Sequence, residues 1–139
     1  MLIGELSKRS KLSKDGLRHY ESLGLLHSHP VRAGSRVYRD YAPDSIERLS
    51  LIALGKRLGF TLAEMAEPLN RLLSDDISPE ERSAVLLEKA GEIDQRILNL
   101  KAARDKLVEI AANPEKPFVD EYLRGLGLLL GEEDSVVKN

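Results

Sequence analysis

Apolar residues in the first part of the chain come in short clusters at helical spacing, cut by small and polar breaks. Ile3 and Leu6 share one face of a short helix over 3–9, IGELSKR, with Lys8 and Arg9 on the other. The tight turn Ser10-Lys11-Leu12 follows, and then Ser13, whose hydroxyl can satisfy a free amide of the next helix. That helix is predicted from Lys14 to Leu23. Leu17, Tyr20 and Leu23 repeat at helical spacing, and Gly24 is a natural stop. Two short helices across a short turn make a helix-turn-helix, and the second presents Lys14, Arg18 and His19 outward.

The pattern then changes period. After a connector, His27 to Pro30, two short strands are predicted at Val31-Arg32 and Val37-Tyr38. They join through Ala33-Gly34-Ser35, where Gly34 supplies the positive φ of a tight hairpin. The hairpin is basic, with Arg32, Arg36 and Arg39, and Tyr38 adds a hydroxyl. Such a wing can lie along a phosphate backbone.

Helical spacing returns with Ile46, Leu49 and Ile52-Ala53, after Pro43 and Asp44 at a favourable helix start. Gly59 ends that helix. Thr61-Leu-Ala-Glu64 is a capping box opening TLAEMAEPLNRLL, where Pro68 is expected to kink or break the helix. A second capping box, Ser78-Pro-Glu-Glu81, opens a long helix to Ala112. In it Leu86, Ala90, Ile93, Ile97, Leu100, Leu107 and Ala111 fall on spacings of four and three, with Arg104 at the one polar seam position. This is a heptad seam, spread along a helix roughly 50 Å long at about 1.5 Å per residue. The small basic head cannot cover it, so the same helix of a second chain is the expected cover, and the chain is expected to be a homodimer. One more short helix is expected over 117–130, with Phe118, Tyr122 and Leu126 on its apolar side, before an acidic tail at 131–139.

The expected fold is therefore mostly α: a winged helix-turn-helix head over 1–74, a dimerisation helix over 75–112 and a short C-terminal segment over 113–139. Charge divides along the same line. Of the 21 Lys and Arg and 23 Asp and Glu, residues 1–60 hold 11 against 6, leaving 10 against 17 for the remainder. A basic head on an acidic body points to a polyanion partner at one end.

Cysteine is absent, which excludes disulfides, thiolate metal sites and cysteine nucleophiles. His27 and His29 could be read as a metal pair, but they lie in the connector without a third ligand, so no metal is expected and they read as polar loop residues. The glycines of Gly125-Leu-Gly-Leu-Leu-Leu-Gly131 lack the spacing of a dinucleotide fingerprint. No set of residues suggests catalysis, and a non-enzyme without cofactor is expected. No signal peptide or membrane-spanning run is visible, so a cytoplasmic location is expected.

IGELSKRS, LRHYESLGLL, the wing ending SRVYRDY, IERLSLIALGKRLGF followed by TLAEM, and the long helix come in an order that resembles the MerR family of bacterial transcription regulators over residues 2–112. The resemblance implies dimers joined by an antiparallel coiled coil. It implies binding to promoters whose −35 and −10 elements are spaced too far apart, and untwisting of the DNA to realign them for RNA polymerase. By the same resemblance Arg18, His19, Tyr20, Arg36 and Tyr38 fall where the family contacts DNA. Lys14, Arg32 and Arg39 complete the expected set, mostly as phosphate contacts. Tyr20 reads equally well as a core residue on Leu6, and Arg18 as the helix-surface partner of Asp15 or Glu21.

Three departures stand out: Lys11 where the turn commonly has glycine, Gly16 in place of a common threonine, and Pro68 inside a helix that is usually continuous. The family's metal sensors carry cysteines near the positions of Ser78 and of Asn113 to Pro117, and none is present here. The signal is therefore open. One expectation is an apolar effector pocket built from Phe118, Tyr122 and Leu126, weighed against plain packing of that segment on the coiled coil. Other readings are an architectural DNA-bending factor without ligand, and a regulator whose tail senses a protein partner.

Overall fold

The computed structural model describes residues 1–115. Their order is α1 (Ile3–Ser10), α2 (Lys14–Ser22), β1 (Ser28–Ala33), β2 (Arg36–Tyr41), α3 (Ser45–Arg57), α4 (Leu62–Leu72) and α5 (Pro79–Ala112). The fold is thus mostly helical, a winged helix-turn-helix followed by one long helix. It divides into two compact units, Met1–Val85 and a second beginning at Leu86. No helix among the described residues is long and apolar enough to cross a membrane. Phe118, Tyr122 and Leu126 lie outside the described residues.

The core of the first unit is built where the short helices meet. Leu6, Leu17, Leu25, Leu26, Ile52 and Tyr41 are almost wholly buried. Burial of one such side chain contributes about 1.5–3 kcal/mol. α1 packs on α2, α3 and β2, and α3 packs on α4. The turn between α1 and α2 needs a left-handed residue, and Lys11 supplies it at φ 63°. Its amide donates to the Ser7 carbonyl at 2.9 Å, closing α1 in an αL cap. A side chain with a Cβ costs about 1–2 kcal/mol in that region, the strain expected from a lysine in a glycine position.

A polar network fixes the end of α2. Arg48 is 5% exposed. It donates through Nε to Asp44 Oδ2 at 2.7 Å, and through Nη1 to Asn70 Oδ1 at 2.6 Å and the Leu25 carbonyl at 3.4 Å. Asn70 donates to the Gly24 carbonyl at 2.9 Å. Carbonyls left free where a helix ends need such partners once buried. One arginine on α3 and one asparagine on α4 therefore hold the chain where it leaves α2.

Three expectations change. The strands are six residues each, longer than the expected dipeptides, and the hairpin begins at Ser28 inside the expected connector. Pro43 precedes α3, with Asp44 at the N-cap; the Asp44 side chain serves Arg48 rather than the helix start. Pro68 breaks nothing, since α4 runs through it from Leu62 to Leu72. The capping box of Thr61 and Glu64 holds its first turn, with bonds of 3.2 and 3.0 Å. Met65 and Leu69 bury one face on either side of the proline. One lost amide bond is outweighed by that burial.

The crossing of α3 over α4 is close at Gly55, where an added Cβ would lie 2.1 Å from Met65 Sδ. Alanine favours a helix over glycine by about 1 kcal/mol, but overpacking costs about 1–3 kcal/mol. Gly55→Ala is therefore expected to lower the urea midpoint, and Gly55→Leu to lower it further. A midpoint unchanged in both would show that Met65 yields without cost.

Candidate nucleic-acid interface

Ser13 caps α2, its hydroxyl accepting from the Gly16 amide at 3.0 Å. Lys14, Asp15, Arg18, His19 and Ser22 are all exposed on this helix, while Leu17 and Tyr20 are buried. Arg18 is 59% exposed and donates through Nη1 to Asp15 Oδ1 at 3.1 Å. Of its two expected neighbours, Asp15 is the one it pairs with; an exposed pair of this kind is worth at most about 1 kcal/mol and leaves the guanidinium free to exchange partners.

Of the two readings of Tyr20, its burial agrees with the core one. It is 8% exposed. Its ring lines a groove of about 530 Å³ with Leu12, Leu49 and Ile52, and the His19 ring stands 6.5 Å from it. Its spacing with Leu17 turns it inward, so it serves the head's packing.

The hairpin pairs Ser28 with Tyr41, Pro30 with Arg39, Val31 with Tyr38, Arg32 with Val37 and Ala33 with Arg36. Directly opposed residues share a face and successive residues alternate. Arg36 and Tyr38 therefore lie on one face, and Arg32 and Arg39 on the other with Ser28 and Tyr41. The basic wing read from the sequence is two basic faces. Arg32, Arg36 and Tyr38 are exposed, Tyr38 at 40%. Gly34 at the tip has φ 66°, as its turn requires.

Arg39 is not free in this way. Its Nε donates to Ser28 Oγ at 2.8 Å and to Glu21 Oε2 at 3.4 Å. Glu21 also accepts from the Ser28 hydroxyl, and its Oε1 from the Tyr41 hydroxyl at 2.9 Å. Burial pushes the Glu21 carboxyl up, but the hydrogen bonds from Ser28 and Tyr41 and the charge of Arg39 outweigh it and hold it below 4.5. Tyr41 moves the opposite way. Burial and its bond to Glu21 push the phenol up to about 12. A cleft of about 490 Å³, lined by Arg18, Ser22, His27 and Arg39 among others, lies between α2 and the base of the hairpin.

His27 and His29 part company. His27 Nε2 meets Asn70 Oδ1 at 2.9 Å, while His29 Nε2 stands 3.7 Å from Asp40 Oδ2. No group of three or more His, Cys, Asp or Glu poised for a metal occurs among the described residues. Glu21, Ser28, Tyr41, Arg48 and Asn70 carry the geometry of this site, and sequence reasoning passed over them. In the sequence Glu21 reads only as a neighbour of Arg18. The signal that could have found it is a carboxylate on the basic helix, three residues after Arg18, that the exposed face has no use for.

Along the second unit the seam residues stay exposed: Leu86 at 53%, Ile97 at 57%, Leu100 at 64% and Leu107 at 52%. Ala90 and Ala111 are exposed as well, and Ile93 is half-buried.

Comparison with known proteins agrees with this geometry. The family model described as MerR HTH family regulatory protein matches residues 1–72, and that described as MerR, DNA binding matches 46–110. The HTH-type transcriptional regulator HmrR of Sinorhizobium medicae is 30% identical, over 91% of this chain and 89% of its own. The HTH-type transcriptional regulator CueR of Salmonella typhimurium is 33% identical, over 80% and 79%. The mercuric resistance operon regulatory protein of Bacillus cereus is 31% identical, over 78% and 80%. A helix-turn-helix with a basic exposed face, a two-stranded wing and a long following helix, matched over most of its length by such relatives, is a DNA-binding transcriptional regulator, and the chain belongs to the MerR family.

Proposed function

We propose that the protein works as a homodimer on an inverted-repeat promoter site and distorts the DNA between the half-sites to control transcription by RNA polymerase. The observation that carries the dimer is the exposed heptad seam of α5. A row of leucines and isoleucines held open to water along a 34-residue helix is unfavourable by about 25 cal/mol per Å². The same row on a second chain is the complementary cover. Antiparallel pairing sets the two heads apart, so that each can place its α2 in a separate major groove on one side of the duplex.

In each head Arg18 is the residue best placed to read a base edge, with His19 beside it. Lys14, Arg32, Arg36 and Tyr38 contact phosphates. Because Arg36 and Tyr38 lie on the face of the hairpin opposite to Arg32, the wing is gripped from two sides. The central DNA is read through the energy of deforming it.

The signal is of a different kind from one bound through thiolates. The Bacillus cereus relative is named for mercuric resistance, and soft metals are selected by thiolate ligands, which a chain without cysteine does not have.

Fluorescence anisotropy on the duplex upstream of the protein's own coding region tests the head. Arg18→Glu is expected to weaken specific binding roughly hundredfold, from a lost base contact of about 1–3 kcal/mol and added phosphate repulsion, while sedimentation still gives a dimer. Full operator affinity in this variant would remove Arg18 from the interface. Arg36→Ala should weaken all duplexes alike and reduce the slope of log K against log salt by about one; an unchanged slope would take the wing off the phosphates. Ile97→Glu together with Leu100→Glu should yield monomers in sedimentation, and a dimer that survives both would contradict pairing through α5.

A further inference from the structure

The wing is anchored at one end only. Its rungs from Val31 to Tyr38 are exposed along both strands, and an isolated two-stranded hairpin is at best marginal in water. What holds it is the base, where Ser28 and Tyr41 oppose each other and share a face with Arg39. All three side chains converge on one carboxylate, that of Glu21 in the last turn of α2. Oε1 takes the Tyr41 hydroxyl. Oε2 takes the Ser28 hydroxyl and the Arg39 Nε–H. The carboxylate therefore joins the recognition helix to both strands of the wing.

Charge makes this placement informative. A carboxylate beside the DNA-facing side of α2 repels phosphates, so by electrostatics alone it opposes binding. It is also only 18% exposed, and a half-buried charge is tolerated where it is fully paired. Hydrogen bonds to a charged group are the strong ones, and Glu21 accepts three. Those bonds hold its pKa below the ordinary glutamate value despite the burial.

Resting on the reading of the head as a DNA interface, we propose that Glu21 is a positioning residue for DNA binding: its carboxylate locks the wing at a fixed angle to the recognition helix, and Arg39 serves that lock rather than a phosphate. The angle sets how far the wing's phosphate contacts lie from the groove contacts of α2. A duplex of the right shape can satisfy both together only while the angle is held. The lock thus acts on the preference for the operator more than on affinity for DNA in general.

The backbone bonds at the wing's base do not depend on Glu21. Tyr41 donates its amide to the Met1 carbonyl at 2.7 Å, and Ala42 to the His27 carbonyl at 2.9 Å. The Leu2–Asp40 bridge and the pairing of the Met1 amino group with Asp40 add to them. Removing the carboxylate therefore keeps the hairpin seated on the head and takes away its side-chain tie to α2, which loosens the angle between wing and helix.

Glu21→Gln, Tyr41→Phe and Arg39→Gln in the full-length protein test this against two probes. One is a duplex enriched by the parent protein from a randomised pool; the other is an unrelated duplex of equal length. Glu21→Gln is expected to lose roughly tenfold on the selected duplex, the scale of a charged hydrogen bond, yet to hold or tighten on the unrelated one because a negative charge is gone. Tyr41→Phe should lose preference in the same direction, and it carries the contrast if Glu21→Gln does not fold. Arg39→Gln in the Glu21→Gln background should add little, as expected for groups acting as a unit.

Glu21→Gln changing both duplexes by the same factor would overturn the lock. So would Arg39→Gln weakening both alike with a salt slope smaller by about one, the mark of a phosphate contact. A pool from which the parent enriches no sequence would remove the interface itself, a result distinct from a variant failing on a duplex the parent prefers.

Discussion

The carbonyls of Gly24 and Leu25 have to find partners after the recognition helix ends, and the head is arranged around that need. Leu25 and Leu26 are buried here, 0% and 1% exposed, so water cannot serve the backbone between them. Arg48 and Asn70 do so from α3 and α4. Those two helices are consequently more than a platform. They fix where α2 stops and where the chain turns towards the wing. At the other end Ser13 caps the first turn. With both ends held, the exposed row of Lys14, Arg18 and His19 has a defined direction, and a helix of nine residues can present side chains to a groove without support from length.

The same economy runs through the hairpin. A wing proposed to grip phosphates has to be exposed, yet an isolated hairpin is marginal in water. The conflict is solved by putting the anchoring at one rung. Tyr41 buries its ring in the core while its hydroxyl reaches Glu21, so one side chain gives the wing both a hydrophobic root and a polar tie to α2. The outer rungs are left to arginine and tyrosine.

Much of this was legible in the sequence. Period and capping placed every helix of the head, because Ser13, Gly24 and the Thr61–Glu64 box are signals that depend only on neighbours. The basic head and the α5 seam were readable for the same reason. What was not legible depended on pairs distant along the chain. The strand register placed Arg39 on the face of Ser28 and Tyr41 and set it apart from Arg36. Tyr20 could be read as surface or core until the fold placed it in the core. Pro68 looked like a break because local chemistry says so, and the packing of Met65 and Leu69 overrode it. Arg48 enters the sequence reading only within the charge count of the head, though its role is internal.

The scaffold is shared with relatives that include one named for mercuric resistance. The head and the long helix match over most of both chains, whereas the thiol chemistry of a soft-metal sensor has no residue to carry it. Hydroxyl-radical cleavage of the duplex upstream of the protein's own coding region, with the dimer bound, decides most directly whether the geometry is used as described. Two protected tracts related by a two-fold axis and lying on one side of the duplex, with altered cleavage of the unprotected bases between them, are expected. A single tract, or protection without sequence preference, would contradict a dimer that reads an inverted repeat and deforms its centre.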